Sequence, residues 1–186
     1  GSHAGGNSYY MALSGTSQAT AIASGVAGLS REFIRDQVGV SSPSSSLVKA
    51  ALINGARDLG TPDIPNAAEG WGEVNLERTV LPMDGSTPLD TYMDDKKVLS
   101  PGFGLLYSFS LDPSHGIDIT LAWTDEAGSA IAPQSEARLV NNLDLVLVGP
   151  DGTEWLGNDF SQGFTTTGGQ AAVSYTHLRA HETLVH

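Results

Sequence analysis

Ser17 is the side chain best placed to do chemistry in this chain. It sits in Tyr9-Tyr10-Met11-Ala12-Leu13-Ser14-Gly15-Thr16-Ser17-Gln18-Ala19-Thr20, which runs directly into the small-residue segment Ala21 to Leu29. The order reads as a short apolar strand, a tight Ser-Gly-Thr turn, and a helix whose first residue is the serine. A hydroxyl at a helix start lies beside backbone N–H groups that have no partner inside the helix and at the positive end of its dipole. Such N–H groups can hold the oxyanion formed when that hydroxyl attacks a carbonyl carbon. The other reading of the same residues is a serine that caps a closely packed helix, since serine is a favoured N-cap. Ala19, Ala21, Ala23, Gly25, Ala27 and Gly28 leave no polar side before Ser30, Arg31 and Glu32, so the helix is expected to be covered nearly all round.

Two further elements follow. Ser44 to Ala56 has serines at its start, apolar residues at helical spacing, Pro43 just before it and Gly55 near its end, the signals of a second helix. Gly70-Trp71-Gly72-Glu73-Val74-Asn75-Leu76 is a glycine-bracketed aromatic that leads into a short periodic segment.

Taken in order, these pieces resemble the closing part of a subtilisin-like serine protease catalytic domain, in which Gly-Thr-Ser-Met-Ala-Thr-Pro opens a small-residue helix. Gly15, Thr16, Ser17, Ala19, Thr20, Gly25 and Gly28 agree with the family pattern. Gln18 replaces the usual Met, Ala21 the usual Pro, and Ile22 stands where His is frequent. The change to alanine is mild, because proline fits only a first helical turn and alanine is the best helix former. The resemblance implies that Ser17 is the nucleophile and that its backbone N–H contributes to the oxyanion hole. It also implies an α/β fold for residues 1–85, a serine-type endopeptidase acting on polypeptides, and a secreted, extracellular protein.

From about Asp84 the pattern changes. Ile117, Ile119, Leu121 and Trp123 alternate with polar or small residues, Leu143, Leu145 and Leu147 repeat the alternation, and Tyr107 to Leu111 is a further candidate strand. Pro150-Asp151-Gly152-Thr153 is a turn into Glu154-Trp155-Leu156. Several short strands joined by turns predict an all-β sandwich over residues 86–173. Leu-Ala-Trp-Thr-Asp, Leu-Val-Asn-Asn-Leu-Asp-Leu and Gly-Asn-Asp-Phe resemble the jelly-roll domain that follows the catalytic domain in one branch of secreted subtilases. Residues 174–186 resemble a translated sequencing-library adapter and are set aside as a non-native tail, leaving the jelly roll incomplete. Gly1-Ser2-His3 resembles an expression scar but reads equally well as native.

A serine hydroxyl needs a base, and the base needs a group that orients it. In the subtilisin order both precede the serine. Only His3 lies upstream, without the family's His-Gly-Thr context, and His115 stands in the Asp112-Pro113-Ser114-His115-Gly116 turn. His177, His181 and His186 fall in the set-aside tail. The chain is therefore expected to be a fragment, inactive alone, whose partner is the upstream part of its own catalytic domain. The alternative is a non-catalytic β-sandwich binding module attached to a decayed protease domain.

The chemistry requires no cofactor. Asp125, Asp144 and Asp159, with Glu126, Asn142 and Asn158 nearby, offer the hard oxygen ligands that calcium prefers. Their spacing matches no fixed calcium loop and Asp and Asn are ordinary turn formers, so a structural calcium site and a set of turns both stand. The net charge of −12 over 186 residues disfavours nucleic acid and anionic membranes as partners. No cysteine is present, which removes disulfides and thiolate zinc sites.

Overall fold

The computed structural model describes residues 2–3, 11–12, 14–60, 65–84, 86–111, 116–127, 130–131, 139–161, 164–167 and 176–180. A minimal antiparallel pair, β1 (Ser2–His3) and β2 (Met11–Ala12), leads into helix α1 (Thr16–Phe33). The last turn of α1 loosens into a π-helical turn over Ile34–Val38 and stops at Gly39, whose φ of 86° is the left-handed conformation that glycine adopts without penalty. Helix α2 (Ser45–Asn54) starts where the serine cluster and Pro43 place it. Ser44 is its N-cap, with Oγ accepting from Leu47 N–H at 3.0 Å.

The first core lies between these two helices. Ile34, Leu47, Val48 and Ala51 are buried together, with Ala27, Val40, Leu52 and Met93 packed at the edge. Each fully buried Leu, Ile or Val contributes about 1.5–3 kcal/mol relative to exposure. The two buried hydroxyls nearby are satisfied: Ser30 donates to the Val26 carbonyl at 2.8 Å and Thr79 to the Asn75 carbonyl at 2.7 Å.

Helix α3 (Leu76–Val80) is capped by Asn75, whose Oδ1 accepts from Arg78 N–H at 3.0 Å. The loop before it explains the Gly-Trp-Gly pattern. Arg57 and Glu73 exchange both backbone hydrogen bonds, at 2.9 and 2.8 Å, and their side chains form an ion pair. Gly72 sits in that bridge at φ 98°, where a Cβ would lie 2.4 Å from the Arg57 carbonyl oxygen. Gly55, at the end of α2, is demanded by close approach instead. A Cβ there would stand 2.6 Å from the backbone N and Cα of Thr79.

The second half is built from small antiparallel pieces. β3 (Met83–Asp84) pairs with β4 (Thr87–Pro88). β5 (Ile117–Leu121) pairs with β9 (Thr176–Ala180), and β6 (Val146–Val148), β7 (Glu154–Ser161) and β8 (Phe164–Thr167) form a three-stranded sheet in that order. β9 falls within residues 174–186, the stretch set aside from the sequence, and here it takes the edge of β5.

The predicted turn closes the β6–β7 hairpin: Gly152 N–H donates to the Gly149 carbonyl at 3.0 Å, and Thr153 N–H to Asp151 Oδ1 at 2.9 Å. A register shift between Trp155 and Phe160 contains Asn158 at φ 63°, a conformation asparagine tolerates better than most residues. Trp155 is the buried centre of a second core, with Ile117, Ile119, Leu145 and Leu147 around it. The alternating residues of both predicted strands therefore meet on one aromatic ring. The 107–111 stretch, expected to be a strand, pairs with no strand among the described residues, and Tyr107 and Phe109 are exposed. Two small sheets around one tryptophan are all-β structure, but the described residues do not assemble a jelly roll. Asn54 Nδ2 links the halves, donating to the Asp118 carbonyl at 3.1 Å and to Thr120 Oγ1 at 3.2 Å.

Candidate active site at the start of the first helix

Ser17 is the second residue of α1, not its cap. The cap is Gly15, at φ 156° and ψ 164°, a combination essentially confined to glycine. This corrects both the expected helix start and the capping alternative, because a residue inside the first turn cannot use its hydroxyl as an N-cap. The physical reason is the turn: the chain needs one glycine to swing from the preceding segment into the helix, and that glycine takes the cap position. Gln18, the departure from the family pattern, folds its amide back toward this turn. Its Oε1 lies 2.9 Å from where a Cβ on Gly15 would be.

The first bond of the helix is Ala19 N–H to the Gly15 carbonyl, at 3.2 Å. The N–H groups of Thr16, Ser17 and Gln18 precede it and have no acceptor inside the helix. The hydroxyls further along behave differently from that of Ser17. Thr20 donates to the Thr16 carbonyl at 2.7 Å, Ser24 to Thr20 at 2.8 Å, and Ser30 to Val26 at 2.8 Å. Each folds back on a carbonyl four residues earlier. Ser17 is too early for that bond, since the residue four positions before it is Leu13, outside the helix. Its hydroxyl is exposed at the start of α1, beside N–H groups that have no acceptor inside the helix.

The expected covering of α1 is not supplied by the described residues. Ser17 to Ile22, Gly25, Gly28 and Leu29 are all exposed, with Ile22 at 63% and Leu29 at 52%. A Cβ built on Gly25 or Gly28 meets nothing within 4 Å. Only the C-terminal part of the helix, around Ala27, Ser30 and Ile34, is held against α2. A groove of about 750 Å³ runs between the helices, lined by Ala27, Arg31, Val48, Lys49, Leu52 and Trp71 among others. Ser17 does not line it.

His3 lies in β1, its backbone paired with Met11, and His115 falls outside the described residues. Among the described residues no group of three or more His, Asp or Glu side chains converges as a metal site would require. Asp125 is bonded within its own loop. Its carboxylate accepts from Val140 N–H at 2.7 Å, from Asn141 N–H at 3.0 Å, from Asn141 Nδ2 at 2.8 Å and from Glu126 N–H at 2.9 Å. Desolvation raises its pKa, but these four donors together hold it below the usual carboxylate value. Asp125 thereby staples residues 123–126 to 140–141, where Trp123 Nε1 also donates to the Asn141 carbonyl at 3.2 Å. Asp144 lies within 3.5 Å of Asn142 Nδ2, and Asp159 follows the left-handed Asn158 in β7.

The sequence reading overlooked Asp94 to Lys97. Asp95 accepts from Ser44 N–H at 2.9 Å and from Ser44 Oγ, gripping the cap of α2 from 51 residues away. Lys96 Nζ donates to the Ser42 carbonyl at 2.6 Å. Asp94 accepts from Tyr107 Oη at 2.7 Å and pairs with Lys97 at 3.3 Å. That carboxylate pushes the Tyr107 phenol up to about 12. No local pattern announces such contacts, because the partners are far apart in sequence.

Comparison with known proteins bears on the first half most directly. The subtilase family model, Peptidase S8, matches residues 1–72, which include Ser17 and both helices of the first core. The "Serine protease/ABC transporter B family protein tagA" of Dictyostelium discoideum is 38% identical over 151 residues, covering 74% of this chain. The chain spans only 8% of that protein's length. The two matches support the subtilase family and protease function in general.

Proposed function

We propose that this chain is the nucleophile-bearing, C-terminal part of a subtilisin-like serine endopeptidase, followed by an incomplete jelly-roll domain. The carrying observation is Ser17 in the first turn of α1, behind a glycine-only turn and ahead of the first helical hydrogen bond. In this reading Ser17 Oγ attacks the scissile carbonyl carbon as a base removes its proton. The carbonyl oxygen becomes an oxyanion stabilised by the Ser17 N–H and the positive helix end. The tetrahedral intermediate collapses to an acyl-enzyme as the protonated base gives its proton to the leaving amine, and water then releases the acid.

The base and the group that orients it come from sequence outside this chain, which makes the isolated chain inactive. Substrates are polypeptides, and the parent protein acts outside the cell. Among the described residues no helix is long and apolar enough to cross a membrane. The chemistry uses no cofactor, and Asp125 serves as a loop staple, its carboxylate accepting from four N–H donors.

The test is turnover of a peptide ester by the longer protein that contains this sequence, with and without Ser17→Ala. Loss of a triad nucleophile typically lowers kcat on the order of a million-fold. A Ser17→Ala protein that keeps a tenth of the activity excludes Ser17 as nucleophile.

A further inference from the structure

Residues 98–111, Val-Leu-Ser-Pro-Gly-Phe-Gly-Leu-Leu-Tyr-Ser-Phe-Ser-Leu, hold no charged side chain in a chain whose net charge is −12. After a turn at Pro101 and Gly102, in which Phe103 N–H donates to the Ser100 carbonyl at 3.0 Å, residues 103–111 run on without helix, turn or bend. The rings of Tyr107 and Phe109 stack, with centroids 6.4 Å apart and 12° between their planes. That is the spacing of alternate residues on one face of a strand, which rises about 3.3 Å per residue. Tyr92 meets both rings, at 6.0 and 5.8 Å, and Asp94 accepts from the Tyr107 hydroxyl at 2.7 Å. One face of the segment is thus laid on residues 92–94. Leu106 belongs to the alternate set and is 92% exposed.

Among the described residues no hydrogen bond reaches the backbone of residues 104–111. A row of exposed N–H and C=O groups in an extended segment is a template for another strand. The order of side chains decides which strand fits. Turned antiparallel on itself about Leu106, the segment sets Phe103 opposite Phe109, Leu105 opposite Tyr107, Gly104 opposite Ser108, and Leu106 opposite Leu106. Aromatic and aliphatic residues meet on one face. On the other, two small residues flank the leucine that has most surface to cover. Apolar cross-strand pairs of this kind are what stabilise a sheet. Two chains of net charge −12 repel each other, and an uncharged stretch is where they can approach most closely.

We infer that residues 103–109 are a contact between two copies of this chain, paired antiparallel with the twofold axis at Leu106. Both copies present the same residues, so the contact is isologous. Two short strands bury less than the roughly 1,200 Å² at which stable specific interfaces begin, so the dimer is weak and concentration-dependent. This contact does not depend on the role of Ser17.

The test is sedimentation velocity of this chain from a few micromolar to several hundred micromolar. The boundary is expected to shift from monomer to dimer and no further. Gly104 and Ser108 are exposed, and a Cβ on Gly104 meets nothing within 4 Å, so both accept new side chains without disturbing the fold. Gly104→Lys with Ser108→Lys sets lysine opposite lysine twice and should weaken association by about tenfold or more. Gly104→Lys with Ser108→Glu sets lysine opposite glutamate and should associate at least as well as the parent. The variant with two lysines is the less negative overall, so general repulsion alone gives the opposite order. Leu106→Cys should cross-link copy to copy on mild oxidation, since the chain has no other cysteine, whereas Leu59→Cys, also exposed, should not. Should a double variant misfold by ellipticity, the cross-linking decides. A monomer at every concentration would overturn the inference and leave the segment to a strand from elsewhere in the longer protein. Growth past the dimer, equal association of the two double variants, or no cross-link at Leu106→Cys would each overturn it as well.

Discussion

Replacing one glycine by alanine should stabilise this chain at one position and destabilise it at another. At Gly25, in the middle of α1, a new Cβ meets nothing within 4 Å and the residue is exposed. The change then acts through helix propensity alone, about 0.8–1 kcal/mol in favour of alanine. At Gly55, φ is −84°, so alanine is not strained by conformation. Its Cβ, however, would stand 2.4 Å from Thr79 Oγ1 and 2.6 Å from the Thr79 backbone N and Cα. The hydroxyl can rotate away, whereas the backbone of α3 cannot move without disturbing the buried Thr79 hydroxyl and its bond to Asn75. Overpacking of this kind typically costs about 1–3 kcal/mol, more than any propensity gain at a helix end. Urea denaturation of Gly25→Ala and Gly55→Ala should give midpoints on opposite sides of the parent. A Gly55→Ala midpoint equal to or above the parent would refute the close-approach reasoning. In the longer parent protein the Gly25 result is also informative, since destabilisation there would show that another part of the protein covers this face.

The other predictions are shorter. Gly15→Ala should disturb the first turn of α1, because a Cβ residue does not hold φ 156° with ψ 164°; a destabilisation of about 1–3 kcal/mol is expected from the denaturant midpoint, and none would place the turn wrongly. Asn75→Ala removes the cap of α3 and should cost about 0.5–2 kcal/mol, whereas Asn75→Ser should recover most of it. Trp155→Ala empties the centre of the second core and should cost about 3–5 kcal/mol, read as a lowered midpoint by ellipticity near 215 nm.

Much of the local structure was legible because its causes are local. The serine cluster and Pro43 mark the start of α2 and Gly55 its end. The alternation in 117–121 and 143–147 identified the faces that meet on Trp155. The site was legible as a motif but not in its detail. A serine before a helix suggested a cap, while Gly15 takes that position because only glycine makes the turn. The apolar all-round pattern of α1 predicted burial, yet Ile22, Gly25 and Leu29 face outward, since burial depends on what lies opposite and composition does not supply it. The 107–111 stretch has strand propensity but no partner among the described residues, since propensity describes a residue's fit to a sheet and does not supply the neighbouring strand. The grip of Asp95 on Ser44 joins residues 51 positions apart and leaves no periodic signal.

The most direct measurement on the central claim is covalent labelling of the longer parent protein by a fluorophosphonate, which reacts with activated serine hydroxyls, followed by peptide mass mapping. The account predicts a single adduct on the peptide carrying Ser17, absent from Ser17→Ala and absent when this chain is treated alone. An adduct on another serine that survives Ser17→Ala would contradict it.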